Sequence, residues 1–190
     1  MSDGGEEDVP EAQISSLEGF TESDFWLEIK DIQIGSLIGS GQFSKVYVGR
    51  YFGDLVAVKI QKREGKALET YLLRELAVLK NARHENLIAY LGAYNEVTKH
   101  EDDMFSLYII TEFCQNGDLL SLLVDASKIL GWKFRLKIAL QASSAIRFLH
   151  EHNLLHRDIK SSNFLLDSHW NCKISDFGMS RELNGVGPRR

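Results

Sequence analysis

Four short clusters hold the side-chain types that chemistry needs. The first is Gly39-Ser40-Gly41-Gln42-Phe43-Ser44-Lys45-Val46. Glycines in a tight strand–turn–strand let backbone N–H groups approach a phosphate closely. A hairpin that needs positive φ explains the same glycines equally well. The second is Lys59, which closes Val56-Ala57-Val58-Lys59. Strand alternation puts Val56 and Val58 on one face, and Ala57 and Lys59 on the other. A lysine beside a glycine loop can reach a phosphate, although a solvated strand lysine is the simpler reading of Lys59 alone. The third cluster, His156-Arg157-Asp158-Ile159-Lys160-Ser161-Ser162-Asn163, follows a helical pattern, and the fourth, Asp176-Phe177-Gly178, follows a strand. Two acids and an asparagine at loop positions can serve as a base and as oxygen ligands for Mg²⁺, which prefers carboxylates plus phosphate oxygens. Any one cluster arises by chance; all four, in this order and on these elements, do not.

Strand, turn and helix signals supply the elements that position these residues. Ile32, Ile34, Leu37 and Ile38 lead into the glycine loop, and Val46-Tyr47-Val48 follows it. A turn at Gly53-Asp54 and the run Val56–Ile60 predict an antiparallel hairpin. A strand follows the glycines where a dinucleotide-binding fold needs a helix, which argues against that fold, and a Walker-type P-loop is absent because no Gly-x-x-x-x-Gly-Lys-Ser/Thr occurs. Leu68, Leu72, Leu76 and Leu79 share one face of a predicted helix over 66–81. Glu75 lies on that core-facing stripe, where an acid must be paired, and Lys59 is the evident partner. Strands are expected near 87–94 and 105–113, with a polar loop at 98–103 between them. Gly117-Asp118 begins a short helix. A longer one over 132–151 carries Trp132, Leu136, Ala139, Leu140, Ser143, Ile146 and His150 on one face. Strands near 164–166 and 172–175 complete an α+β chain.

The chain has 190 residues, 44% apolar and 26% charged, the composition of an ordinary globular protein. Eight of its 27 acids and none of its 22 bases fall in residues 1–24, so the net charge of −5 misrepresents a mildly basic body. Residues 1–24 read as a disordered acidic tail. The body is too weakly basic to argue for nucleic acid. No apolar run approaches the roughly 20 residues of a membrane span, and the start lacks the pattern of a signal peptide. Cys114 and Cys172, within apolar stretches, read as reduced packing residues of a cytosolic or nuclear protein, with a cytoplasmic location expected and a reactive thiol at Cys114 as the alternative.

With its motifs in view, the chain resembles a eukaryotic protein kinase over about residues 31–185. The resemblance implies a bilobal α+β fold: a five-stranded antiparallel sheet with one helix (residues 25–114, lobe and hinge) over a partial helical lobe (115–190). It implies ATP and Mg²⁺ as cofactors and protein Ser/Thr hydroxyls as acceptors. Gly39, Ser40 and Gly41 would cover the phosphates. Lys59 would hold the α- and β-phosphates and pair with Glu75. Asp158 would orient the acceptor hydroxyl and take its proton, Lys160 would neutralise charge on the transferred group, and Asn163 and Asp176 would hold Mg²⁺. Ile38, Val46, Ala57 and Leu165 would sandwich the adenine. Glu112 and Cys114 would offer hinge backbone groups, Thr111 would be the gatekeeper, and Asp118 would meet the ribose. Lys160, two residues after Asp158, is the Ser/Thr form, whereas Asp176-Phe177-Gly178-Met179-Ser180-Arg181 resembles tyrosine kinases. The stretch from Val46-Tyr47-Val48-Gly49-Arg50 through Gly53 to Val56-Ala57-Val58-Lys59 resembles the tyrosine-kinase-like group, so the resemblance implies a member of that group with Ser/Thr specificity. Arg157 beside Asp158 suggests control by an upstream kinase that phosphorylates the activation segment.

The histidines at 150, 152 and 156 are explained better by the helix end and the catalytic loop than by a metal site. Two departures from the family pattern stand out. Ser44 replaces the third loop glycine, and the chain ends twelve residues after Gly178, before an Ala-Pro-Glu motif. A kinase truncated within its activation segment is therefore expected. The alternative to an active kinase is a nucleotide- or partner-binding fragment with little or no catalytic activity.

Overall fold

A computed structural model describes residues 27–41, 44–63, 75–97 and 105–182. The acidic segment 1–24, the loop residues Gln42 and Phe43, Leu68 and Leu72 of the expected helix, the loop 98–103 and residues 183–190 lie outside them.

Five strands form one antiparallel sheet: β1 (Ile32–Ser40), β2 (Ser44–Tyr51), β3 (Asp54–Arg63), β4 (Tyr90–Val97) and β5 (Phe105–Glu112). Their order is β1-β2-β3-β5-β4, which places β3 at the centre. Register decides what shares a face. Val46 and Ile109 lie opposite Lys59, and Thr111 lies opposite Ala57. Val46, Ala57, Lys59 and Thr111 therefore look to one side. On the other side Val56, Val58 and Ile110 are buried with Leu27 and Ile32. Gly49 is needed in β2 because a Cβ there would lie 2.9 Å from Val58 Cγ2 and 3.1 Å from Gln33 O.

The β2–β3 turn sits one residue earlier than Gly53-Asp54. Tyr51 pairs with Asp54, and Phe52 and Gly53 form the turn with φ of 47° and 93°. Two positive φ values match the right-handed twist of the flanking strands; glycine accepts this freely, and Phe52 does so with its side chain exposed. The strand expected from 87 begins only at Tyr90, and Leu87 makes an isolated bridge to Ile174. At its other end, β5 stops one residue short of the expected 113.

The described part of α1 is 75–81. It lays Leu76 and Leu79 against Leu107 and Ile109 of β5. The same cluster takes in Ala145, Leu149, Ile174 and Phe177 from the second half of the chain. Two further helices are α2 (Leu119–Val124), capped by Asp118, and α3 (Trp132–Glu151). The bounds of α3 match the sequence pattern. It closes with Asn153 at φ 57° donating its N–H to His150 O, in the left-handed position that asparagine tolerates. Its packed stripe is Ile138, Ala142, Ala145 and Leu149, whereas Trp132, Leu136 and Leu140 are exposed. After α3 come two short strand pairs: β6 (Leu154–Leu155) pairs β9 (Arg181–Glu182), and β7 (Phe164–Leu166) pairs β8 (Cys172–Ile174). β8 thus ends one residue before the expected 175. A 3-10 turn at Ser161–Asn163 feeds β7.

Candidate active site

Alternation in β3 aims Lys59 at the face that α1 covers, and α1 presents Glu75 to it. Lys59 Nζ donates to Glu75 Oε1 at 2.7 Å and Oε2 at 2.9 Å. It also reaches Asp176 Oδ1 at 3.4 Å. The Glu75 side chain is 5% exposed, so its charge is buried and depends on that partner. Burial works against the Lys59 ammonium, but the charges and hydrogen bonds of Glu75 and Asp176 outweigh it. They hold its pKa above the ordinary lysine value.

A second group gathers around Asp158. Lys160 Nζ donates to Asp158 Oδ2 at 2.7 Å, and Asn163 Nδ2 donates to Asp158 O at 2.8 Å and Oδ2 at 3.0 Å. The Lys160 hydrogen bond, opposed by burial and aided by Asn163, keeps the Asp158 carboxyl below the usual aspartate range. The same bond raises Lys160. Asn163 is itself buried and is pinned from below, its carbonyl accepting from Ser175 N–H at 2.9 Å.

His156 ties the two groups together. Its Nε2 sits 3.0 Å from Ser175 O and its Nδ1 accepts the Asp158 N–H at 3.3 Å. That pattern assigns the neutral ring with the proton on Nε2. Burial lowers its pKa in the same sense. The ring lies 5.1 Å from that of Phe177, which is 1% exposed. Arg157 and Asp176 flank this packing with φ of 65° and 66°, left-handed values that side chains adopt only under surrounding constraint. Ser180, the one hydroxyl residue after Gly178, is buried and bonded to Phe177 O.

The glycine loop is described up to Gly41, whose N–H closes on Ser44 O at 2.8 Å. Gly39 and Ser40 pair with Val46 and Lys45. Ile38 is half exposed, and Val46, Ala57, Thr111 and Leu165 are partly exposed. Glu112 has a structural task beyond its backbone. Its Oε1 accepts Ala89 N–H at 2.8 Å and lies 3.1 Å from Lys173 Nζ, bracing β5 against β8. Both Asp118 carboxylate oxygens are already engaged by Ser121, at 2.9 and 2.7 Å, so any ribose must share them. Cys114 and Cys172 are free and buried, and burial pushes their thiols up to about 12 and about 11. Burial and a raised pKa both argue against the reactive-thiol alternative at Cys114.

Sequence reasoning missed Gln61 and Lys173. Alternation alone puts Gln61 on the face of Lys59, a polar residue inside a central strand, and that was the available signal. Nothing local announces Lys173 as a partner of Glu112.

A family model described as protein tyrosine and serine/threonine kinase matches residues 32–187. The chain belongs to that family. Its five-stranded sheet, α1 and following helical part are the protein-kinase fold. A probable serine/threonine-protein kinase of Dictyostelium discoideum is 36% identical over 177 residues, 92% of this chain and 29% of the relative. A second from the same organism is 35% identical over 172 residues, covering 87% of this chain and 40% of the relative. A probable serine/threonine-protein kinase of Arabidopsis thaliana is 38% identical over 157 residues, 80% of this chain and 14% of the relative. The chain thus spans well under half the length of these kinases.

Proposed function

We propose that this chain carries the nucleotide site and catalytic loop of an ATP-dependent kinase that transfers the γ-phosphoryl group to Ser/Thr hydroxyls of proteins. The observation that carries the reading is Lys59 held between Glu75 and Asp176, the arrangement in which a lysine can meet nucleotide phosphates beside a metal-binding acid. Lys59 steadies the α- and β-phosphates, and Glu75 keeps it in place. Asp158, ionised and aimed by Asn163 and Lys160, accepts the hydroxyl proton. Lys160 then offsets charge on the moving phosphoryl group. Little covalent chemistry falls to the protein; positioning and charge do the work.

The donor set suits Mg²⁺. Asn163 spends its Nδ2 on Asp158, which leaves its side-chain oxygen for a cation, and the Asp176 side chain is 48% exposed. Among the described residues no group of three or more His, Cys, Asp or Glu could hold a metal alone. Two hard oxygens match an ion that takes its other ligands from phosphate and water. When bound, Mg²⁺ neutralises phosphate charge. The hinge backbone at Glu112 and Cys114, with Thr111 as gatekeeper, meets the adenine edge, and Ile38, Val46, Ala57 and Leu165 cover its faces. Gly39, Ser40 and Gly41 close over the phosphates, and Asp118 reaches the ribose.

Lys160 and the likeness to serine/threonine-protein kinases support Ser/Thr specificity, and Val46–Lys59 with Asp176–Arg181 supports the tyrosine-kinase-like group. Among the described residues no helix is long and apolar enough to cross a membrane. A cytoplasmic setting and an upstream activating kinase acting near Arg157 complete the proposal.

The test is a thermal melt with and without Mg-ATP, followed by phosphoryl transfer by Asp158→Asn. Ligand at about 100 times its dissociation constant adds about 2.7 kcal/mol, or roughly 5–10 °C for a chain of this size. No shift, or wild-type transfer by Asp158→Asn, refutes the assignment.

A further inference from the structure

Gln61 is a polar residue in a place that favours an apolar one. It lies in β3, the central strand, two residues past Lys59 and on the same face. Its partner across β5 is Leu107, and the partner of Lys59 is Ile109. Gln61 is 8% exposed, and its Oε1 is the one buried side-chain nitrogen or oxygen without a hydrogen-bond partner among the described residues. Burying an unpartnered acceptor is costly, and an apolar side chain would escape that cost.

The other end of the amide explains the orientation. Gln61 Nε2 donates to Glu75 Oε2 at 3.4 Å, the oxygen that also takes Lys59 Nζ at 2.9 Å. Turning the amide over would set Oε1 against the carboxylate, acceptor facing acceptor. Glu75 therefore dictates the direction of the amide, and the orphaned Oε1 is the consequence.

We propose that Gln61 is a positioning residue, a neutral second anchor that holds Glu75 in line with Lys59. The proposal rests on the nucleotide role given to Lys59 above. Lys59 must divide its three N–H donors between Glu75 and the phosphates when nucleotide enters. A carboxylate held by Lys59 alone loses restraint at that moment; Gln61 Nε2 stays on Oε2 throughout. Because the amide carries no charge, it restrains Glu75 without competing for the attraction that places Lys59.

A double-mutant cycle tests this on the full chain: wild type, Gln61→Met, Glu75→Gln and the double variant. Gln61→Met removes both amide atoms at nearly constant length. Two readouts are taken, the dissociation constant for Mg-ATP and the rate at which an amine-acylating reagent labels Lys59 relative to the exposed Lys45. Gln61→Met is expected to weaken Mg-ATP about threefold to tenfold and to speed Lys59 labelling by a similar factor, the size of one ordinary hydrogen bond, since the 3.4 Å contact is too long for the full strength of a charged one. In the Glu75→Gln background the same change is expected to do neither. A packing role would instead move both backgrounds alike, and equal effects in the two backgrounds, or none in either, overturn the proposal. If Gln61→Met lacks a cooperative melt, Gln61→Asn, which draws the amide back by one methylene, replaces it. Absence of Mg-ATP binding by the wild type would overturn the phosphoryl-transfer reading, and the labelling comparison would still decide the contact between Gln61 and Glu75.

Discussion

Replacing Lys59 by methionine is a natural way to silence this site, and the structure says what else it does. Glu75 would keep its charge in a place where its side chain is 5% exposed, with the Gln61 amide at 3.4 Å as the remaining donor described. At the 2.7 Å contact the lost attraction is about 6 kcal/mol gross for an effective dielectric constant of about 20. Breaking such a pair by removing one partner costs about 3–5 kcal/mol net. At roughly 2–4 °C per kcal/mol, Lys59→Met should therefore melt about 6–20 °C below wild type. Adding Glu75→Gln should recover more than half the loss, because it removes the stranded charge. The assay is a thermal melt of the three proteins. A Lys59→Met melt within 2 °C of wild type, or no recovery in the double variant, refutes the reasoning. The practical consequence is that loss of phosphoryl transfer in Lys59→Met must be read beside its melt, whereas Asp158→Asn keeps an amide at a partly exposed position.

Three more outcomes follow from the same geometry. His156 has a folded pKa below the ordinary 6.5, chiefly through burial, so the unfolded chain takes up its proton first as pH falls. Its contribution is complete above about pH 6.5 and is lost toward lower pH by at most about 1.4 kcal/mol per unit; urea unfolding between pH 7.5 and 5.5 should show a steeper decline for wild type than for His156→Gln. Lys173→Met removes a half-buried partner of Glu112 and should cost about 1–2 kcal/mol, less than a fully buried pair, and hydrogen exchange at the Ala89 amide, which Glu112 Oε1 accepts, should quicken. Gly49→Ala drives a methyl to 2.9 Å from Val58 Cγ2, and the urea midpoint should fall by the equivalent of about 1–3 kcal/mol.

The sequence by itself determined whatever depends on near neighbours. Alternation in β3 separates Val56 and Val58 from Ala57 and Lys59 because a pleated strand has a period of two. The span of α3, 132–151, is written in its own periodicity and its end at Asn153. The need of Glu75 for a cation follows from its place on an apolar stripe, and Lys59 was the evident candidate. What only the tertiary structure decided involves partners far apart in the chain or choices between equivalent local patterns. α3 carries two apolar stripes, and the one buried, Ile138 to Leu149, is selected by what β8 and α1 bring against it. Neither the pairing of Leu154–Leu155 with Arg181–Glu182 nor the brace between Glu112 and Lys173 has a local signature. The same holds for Gln61. A strand predicts its side, but only the docking of α1 puts a buried carboxylate there and turns an ordinary glutamine into a restraint on it.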